Sequence, residues 1–145
     1  HDANWVDEGL PGAGNILVFN NNTAAGGIAR VGTGGAAAAT AQEQLKGNSN
    51  VHEINPTIDN GRYVTGKTGT FEAKQIWFWK HKDFFAPFQG GARRLPNGNS
   101  LLTDTVGRRV WEVAPDGGVV VRYKGPAPTF KAFKYAAEQV ADLLE

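Results

Sequence analysis

The stretch Leu10–Phe19, LPGAGNILVF, returns later in the chain as Leu95–Leu102, LPNGNSLL, and this repetition decides the fold. Each copy opens with a turn rich in Pro, Gly and Asn and continues into a short apolar run, as a strand after a tight turn does. A second pair of echoes follows, Val51–Pro56 (VHEINP) and Val110–Pro115 (VWEVAP). Repeated groups of short strands joined by such turns are typical of β-propeller blades.

Each repeated unit accommodates four strands. We place the first unit at residues 1–81 and expect its strands near 2–6, 15–20, 50–54 and 75–80. We place the second unit at residues 82–125 and expect its strands near 91–95, 100–104, 109–113 and 119–124. The sequence therefore predicts an all-β fold, a partial β-propeller of about two four-stranded antiparallel blades.

Two segments break the repeat. Residues 23–50 are rich in Ala and Gly and interrupt the first blade, which predicts an inserted loop with or without one short helix. Residues 126–145 form a C-terminal tail, and the apolar spacing over 135–144 predicts a short helix in it. We expect this tail to pack on the ring of blades.

Composition excludes several classes of function. Lys and Arg number 15 against 14 Asp and Glu, so nothing in the net charge favours nucleic acid or an anionic membrane as partner. No apolar run approaches the roughly 18 residues of a membrane span. Cysteine is absent, which removes disulfides, thiolate catalysis and zinc–thiolate sites, and no motif predicts a metal or another cofactor.

Two blades alone bury little apolar surface and leave open sheet edges. The sequence also lacks methionine and begins at His1 within a predicted strand, which favours a segment of a longer or processed chain. We therefore expect the remaining blades as partners, from the same polypeptide, from a cleaved partner or from copies of this chain. Three copies would give a ring of six blades.

The pair His1–Asp2 is the sharpest candidate for chemistry. Imidazole titrates near neutral pH and a neighbouring polar group fixes its tautomer, so a channel-facing His1 could act as nucleophile or general base. One competing interpretation is a surface histidine at a strand edge. Another is a copper site in which His1 is joined by His52 or His81.

Two arginine pairs, Arg93–Arg94 and Arg108–Arg109, could bind an anion. Guanidinium groups hold sulfate, phosphate or carboxylate through paired hydrogen bonds. Asp2, Arg94 and Arg108 are accordingly the candidate substrate-binding residues, and surface arginines that flank strands are the alternative. Catalysis would require His1 and an arginine or second histidine to converge on one anion-sized pocket.

A dense group of aromatic residues lies between the two units, and we expect it to pack between blades rather than stack on a ligand. Its members are Trp77, Phe78, Trp79, Phe84, Phe85 and Phe88.

The ordered set of motifs resembles the blade signature of the arylsulfotransferase-like β-propeller family. The matching stretches are 1–5, 11–19, 84–99, 107–117 and 130–135, which lie on both sides of residues 23–50. The resemblance implies a secreted or periplasmic propeller, typically six-bladed, of which this chain is the C-terminal third.

Enzymes of that family transfer a sulfuryl group from an aryl sulfate to a phenol without a nucleotide donor, through a histidine in the central channel. The resemblance implies that His1 is this histidine and that Arg108 belongs to the Gly-Arg opening of a third strand. The alternative from a different class is a non-catalytic propeller that serves as a binding or structural extracellular protein.

Overall fold

A computed structural model describes residues 1–21 and 49–141, and two four-stranded antiparallel sheets make up most of it. The first sheet has the order β1-β2-β3-β6 and contains Asp2–Trp5 (β1), Ile16–Asn20 (β2), Asn50–Pro56 (β3) and Ala73–Lys80 (β6). The second has the order β7-β8-β9-β10 and contains Gly91–Arg94 (β7), Ser100–Asp104 (β8), Arg109–Val113 (β9) and Val119–Lys124 (β10). The predicted all-β fold with two four-stranded blades is confirmed.

The sequence repeat corresponds to equivalent strands in the two sheets. The echo at Leu10 leads into β2 and that at Leu95 into β8, while the second pair of echoes forms β3 and β9. Each turn depends on glycine with positive φ, Gly12 at 87° and Gly98 at 87°. At Gly12 a Cβ would also stand 2.6 Å from the Glu53 Oε1 atom, so this turn approaches the inside of the sheet.

The described part of the first unit contains one feature beyond the predicted strands. Between β3 and β6 the chain forms a small hairpin from Ile58–Asp59 (β4) and Arg62–Tyr63 (β5). The turn residues Asn60 and Gly61 both have positive φ, at 49° and 74°, as a two-residue hairpin turn requires. The predicted insertion at 23–50 lies almost wholly outside the described residues, apart from Ser49 and Asn50.

The apolar core lies between the two sheets. From the first sheet it takes Leu17, Phe19, Val51 and Trp79, and from the second Ala92, Leu102, Trp111 and Val113. Phe84, in the connection between the sheets, stands edge-on to Phe19, Trp79 and Trp111, at centroid distances of 5.6, 5.0 and 5.7 Å. Aromatic packing between the sheets is thus present at Trp79 and Phe84, whereas Phe78 and Phe88 are exposed.

One ion pair is buried within this interface. Glu53 of β3 pairs with Arg94 of β7, and both side chains are 6% exposed. Glu53 also accepts a hydrogen bond from Asn15 Nδ2 at 2.6 Å, and Arg94 donates to the Gly98 carbonyl at 2.7 Å. The pair therefore fixes the position of β7, the first strand of the second sheet, against β3 in the middle of the first sheet.

The tail runs extended along the second sheet and ends without an α-helix in the described residues. The short helix predicted over 135–144 is present in the described residues as a single 3-10 turn at Ala137–Gln139. None of the three residues of that turn is buried. A short helix without an apolar contact has little to offset the cost of its first turn.

We expect Glu53→Gln to lower the free energy of unfolding by about 3–5 kcal/mol, because it leaves the buried guanidinium of Arg94 without its countercharge. Urea denaturation followed by tryptophan fluorescence measures this. The matched control is Asp83→Asn, which breaks the exposed pair between Asp83 and Arg122, 3.5 Å apart. A loss of under about 1 kcal/mol is expected for the control. Equal losses in both variants would contradict the structural role of the buried pair.

Candidate functional site

A cavity of about 290 Å³ lies where β1, β7 and the tail approach one another. Small-molecule sites usually measure roughly 300–1,000 Å³, so this cavity suits a small ligand. The lining side chains that bear on binding are Asn4, Trp5, Arg93, Arg94, Phe133 and Tyr135. Cationic groups beside aromatic rings are suited to a ligand that joins an anion to an aromatic ring.

Arg94 reaches the cavity as the last residue of β7. Its two terminal nitrogens donate hydrogen bonds to the Glu53 carboxylate and to the Gly98 carbonyl. Its Nε atom is buried and has no hydrogen-bond acceptor among the described residues. A buried donor without an acceptor costs about 1–3 kcal/mol, so this atom offsets part of the stability gained from the ion pair with Glu53.

Arg93 points to the opposite face of β7 because side chains alternate along a strand. Its guanidinium carbon lies 4.5 Å from the centroid of the Phe133 ring, a cation–π contact with the tail. Arg93 forms no ion pair with any residue in the described ranges, and its Nε atom also lacks an acceptor there. Arg93 is therefore the cation of the cavity that is best suited to bind an external anion.

Lys134 of the tail also lines the cavity, but its charge is matched. Its Nζ atom lies 2.6 Å from Glu112 Oε2, and Glu112 Oε1 accepts hydrogen bonds from Asn99 at 2.7 Å and Asn97 at 3.3 Å. The hydrogen bond from Lys134, followed by that from Asn99, holds the pKa of Glu112 below its ordinary value. The contact anchors the tail beside the cavity.

The structure places only Arg94 among the four predicted site residues in this cavity. His1 is exposed, and its terminal amine donates to the Phe19 carbonyl at 2.6 Å. Asp2 is buried, lies 3.0 Å from Lys131 Nζ and accepts from the Ala92 amide at 3.4 Å. These contacts place His1 beside the end of β2 and Asp2 beside the second residue of β7, whereas Arg94 is the last residue of β7.

Arg108 lies in the turn between β8 and β9, outside the cavity. Its side chain is exposed and donates to the Pro126 carbonyl at 3.2 Å, and its φ is 55°. The structure therefore does not bring His1 and Arg108 to the cavity that Arg94 lines. The assignment of His1, Asp2 and Arg108 to substrate remains a prediction from the resemblance.

The other two histidines have partners of a structural kind. His52 Nδ1 lies 2.8 Å from Gln75 Oε1, and the His52 ring packs on Phe78 with centroids 5.0 Å apart. His81 stacks on Trp79 at 6.1 Å. Across residues 1–21 and 49–141, no three His, Asp or Glu side chains come together as a metal site.

Arg93, Phe133 and Tyr135 are among the cavity residues that the sequence did not assign to a site. The sequence predicts that the pair Arg93–Arg94 could bind an anion. Because side chains alternate along a strand, the two arginines point to opposite faces of β7, and the sequence alone does not tell which face a ligand contacts. The tail aromatics alternate at 133 and 135, which is a strand-like signal that the helical spacing of the following residues obscured.

The chain matches no protein-family model, no curated protein and no solved structure. In the described residues no helix is long and apolar enough to cross a membrane.

We expect the contact of Lys134 with Glu112 to stabilise the fold near neutral pH and to fail in acid. The pKa of Glu112 is lower in the folded than in the unfolded chain, so its contribution is complete above about pH 4.3 and is lost as the pH falls further. Urea denaturation of the native chain and of Lys134→Met at pH 7 and pH 3 measures this. The variant should be less stable than the native chain at pH 7, and the difference should be smaller at pH 3.

The exposed Lys124 supplies the control, since Lys124→Met removes the same charge from β10, away from Glu112. A stability difference for Lys134→Met that persists unchanged at pH 3 would contradict the electrostatic origin of the contact.

Proposed function

We propose that this chain forms two blades of a secreted arylsulfotransferase-like β-propeller and that the cavity beside Arg93 binds an aryl sulfate. The observation that carries the proposal is the cationic side chain of Arg93, which has no ion-pair partner among the described residues, at a cavity that also has three aromatic rings. The resemblance of the sequence motifs supplies the substrate class. The proposal includes a periplasmic or extracellular location, which rests on that resemblance alone.

The two parts of an aryl sulfate match the two kinds of lining residue. A sulfate group offers oxygen acceptors to the guanidinium of Arg93, which has no ion-pair partner among the described residues. The aryl ring is suited to contact with Trp5, Phe133 or Tyr135. Arg94 contributes less net charge than Arg93 because Glu53 neutralises it.

Sulfuryl transfer through His1 is the catalytic form of this proposal. A neutral imidazole nitrogen would attack sulfur, the bond between sulfur and the aryl oxygen would break, and the phenolate would leave. A phenol oxygen would then attack the same sulfur, break the bond to nitrogen and give up its proton. His1 lies outside the cavity, and this observation favours the second candidate, a propeller that binds aryl sulfates without turning them over.

We expect Arg93→Gln to weaken the binding of 4-nitrophenyl sulfate about tenfold or more, because a hydrogen bond to a charged group contributes roughly 1.5–3 kcal/mol. Isothermal titration calorimetry measures the dissociation constant. Arg122→Gln is the matched control: Arg122 also lies over an aromatic ring, that of Trp111 at 5.2 Å, but on β10 away from the cavity. Equal dissociation constants for the native chain and Arg93→Gln would show that the cavity is not the sulfate site.

We expect His1→Ala to leave the dissociation constant of 4-nitrophenyl sulfate unchanged, because His1 does not line the cavity. Release of 4-nitrophenolate in the presence of phenol tests the chemical step in the same samples. Release that His1→Ala abolishes would assign transfer to His1. Binding without release in the native chain would establish the non-catalytic candidate.

A further inference from the structure

The tail repeats, along the second sheet, contacts that β7 makes with the first sheet. Two of these contacts can be compared directly, one to a buried carboxylate and one to a backbone carbonyl. In both, the residue of the tail stands 40 positions after its counterpart near β7: Lys134 after Arg94, and Thr129 after Gln89. Because both contacts show the same spacing of 40 residues, the tail occupies the place beside the second sheet that β7 occupies beside the first.

The carboxylate contact is the first of the two. In the first sheet Glu53 of β3 accepts from Asn15 Nδ2 at 2.6 Å and pairs with Arg94. In the second sheet Glu112, the equivalent residue of β9, accepts from Asn99 Nδ2 at 2.7 Å and pairs with Lys134 at 2.6 Å. Lys134 thus has the position relative to Glu112 that Arg94 has relative to Glu53.

The carbonyl contact lies at the other end of the same strands. Asn21 follows β2 and donates from Nδ2 to the Gln89 carbonyl at 2.7 Å. Thr105 follows β8 and donates from its hydroxyl to the Thr129 carbonyl at 3.0 Å. Between these anchors the sequences Ala92-Arg93-Arg94 and Ala132-Phe133-Lys134 therefore run in the same register.

β7 and the tail differ in their backbone hydrogen bonds. β7 is paired with β8, so that Ala92 faces Leu102 and Arg94 faces Ser100 across the ladder. Residues 129–135 make no backbone–backbone hydrogen bond within the described ranges. Such a segment offers a strand edge to which another strand can be added.

We propose that residues 129–135 are the innermost strand of a third sheet and that their edge binds a three-stranded antiparallel β-sheet that lacks an inner strand of its own. The partner would take the place relative to the tail that β8, β9 and β10 take relative to β7. This inference goes beyond the proposed function and does not depend on the binding of an aryl sulfate.

The face of the second sheet beside the tail suits such a partner. It bears a groove of about 320 Å³ between the tail and apolar residues of the outer strands, among them Val110, Val121 and Tyr123. Val121 and Tyr123 are 51% and 60% exposed. A sheet that paired with the tail would continue over this groove, as β8 and β9 cover the apolar face of the first sheet.

A second copy of this chain does not fit the same place while the tail stays bound. Its exposed sheet, β1-β2-β3-β6, brings β1 as its own innermost strand, and the tail already holds that position beside Glu112. The partner must therefore supply the outer three strands only.

A peptide of residues 97–124, which contains β8, β9 and β10, is a probe for this edge. Because the tail has the register of β7, the peptide should place its Leu102 opposite Ala132 and its Ser100 opposite Lys134. We expect it to slow hydrogen exchange at the amides of Lys131 and Phe133 of the full chain by at least about tenfold, because in the register of β7 these alternate amides face the added strand. NMR with only the chain labelled measures this. A scrambled peptide of the same composition, and the chain variant Lys134→Glu, should show no such protection.

A fusion tests the same contact at a higher effective concentration than the free peptide. A copy of residues 97–124 is attached after Glu145 through a flexible linker, which raises its effective concentration to about the millimolar range. Protection of the Lys131 and Phe133 amides in this fusion supports the proposal. The proposal is overturned if the fusion leaves these amides unprotected or protects the edges of β1, β6 or β10 instead. It is equally overturned if the chain alone forms a head-to-tail oligomer with the tail in place.

Discussion

The placement of one carboxylate, that of Glu53, governs how the two sheets fit together. A carboxylate inside an apolar interface is stable only when donors surround it, and here Arg94 arrives from the second sheet and Asn15 from the first. These contacts fix the distance along β7 at which the second sheet meets the first. The core around Phe19 and Trp111 then packs in that register, and the cavity at the end of β7 follows from it.

Much of the fold could be predicted because local signals and the repeat agree. The turns at Gly12 and Gly98 and the short apolar runs that follow them each specify strands without reference to distant residues. The small hairpin at Ile58–Tyr63 escaped prediction because it lacks a repeated counterpart. The spacing of the tail predicts a short helix, and within the described residues it is limited to the 3-10 turn at Ala137–Gln139, none of whose residues is buried.

The candidate site was predicted less well, for a physical reason. A sequence shows that Arg93 and Arg94 are adjacent, but burial decides their roles: Arg94 is neutralised by Glu53, while Arg93 contacts an aromatic ring and no carboxylate in the described residues. His1 and Asp2 are adjacent as well, and Asp2 is engaged by Lys131 of the tail. Long-range partners of this kind leave no trace in local spacing.

The turn at Gly12 has a consequence for which substitutions the chain can accept during evolution. Residue 12 is exposed, and exposed turns usually vary freely among related proteins. Any side chain at this position would meet the carboxylate of Glu53 and would also require a left-handed backbone. The buried carboxylate of Glu53 thus limits which residues can occupy an exposed position. Related sequences should vary at the neighbouring Ala13 more readily than at Gly12.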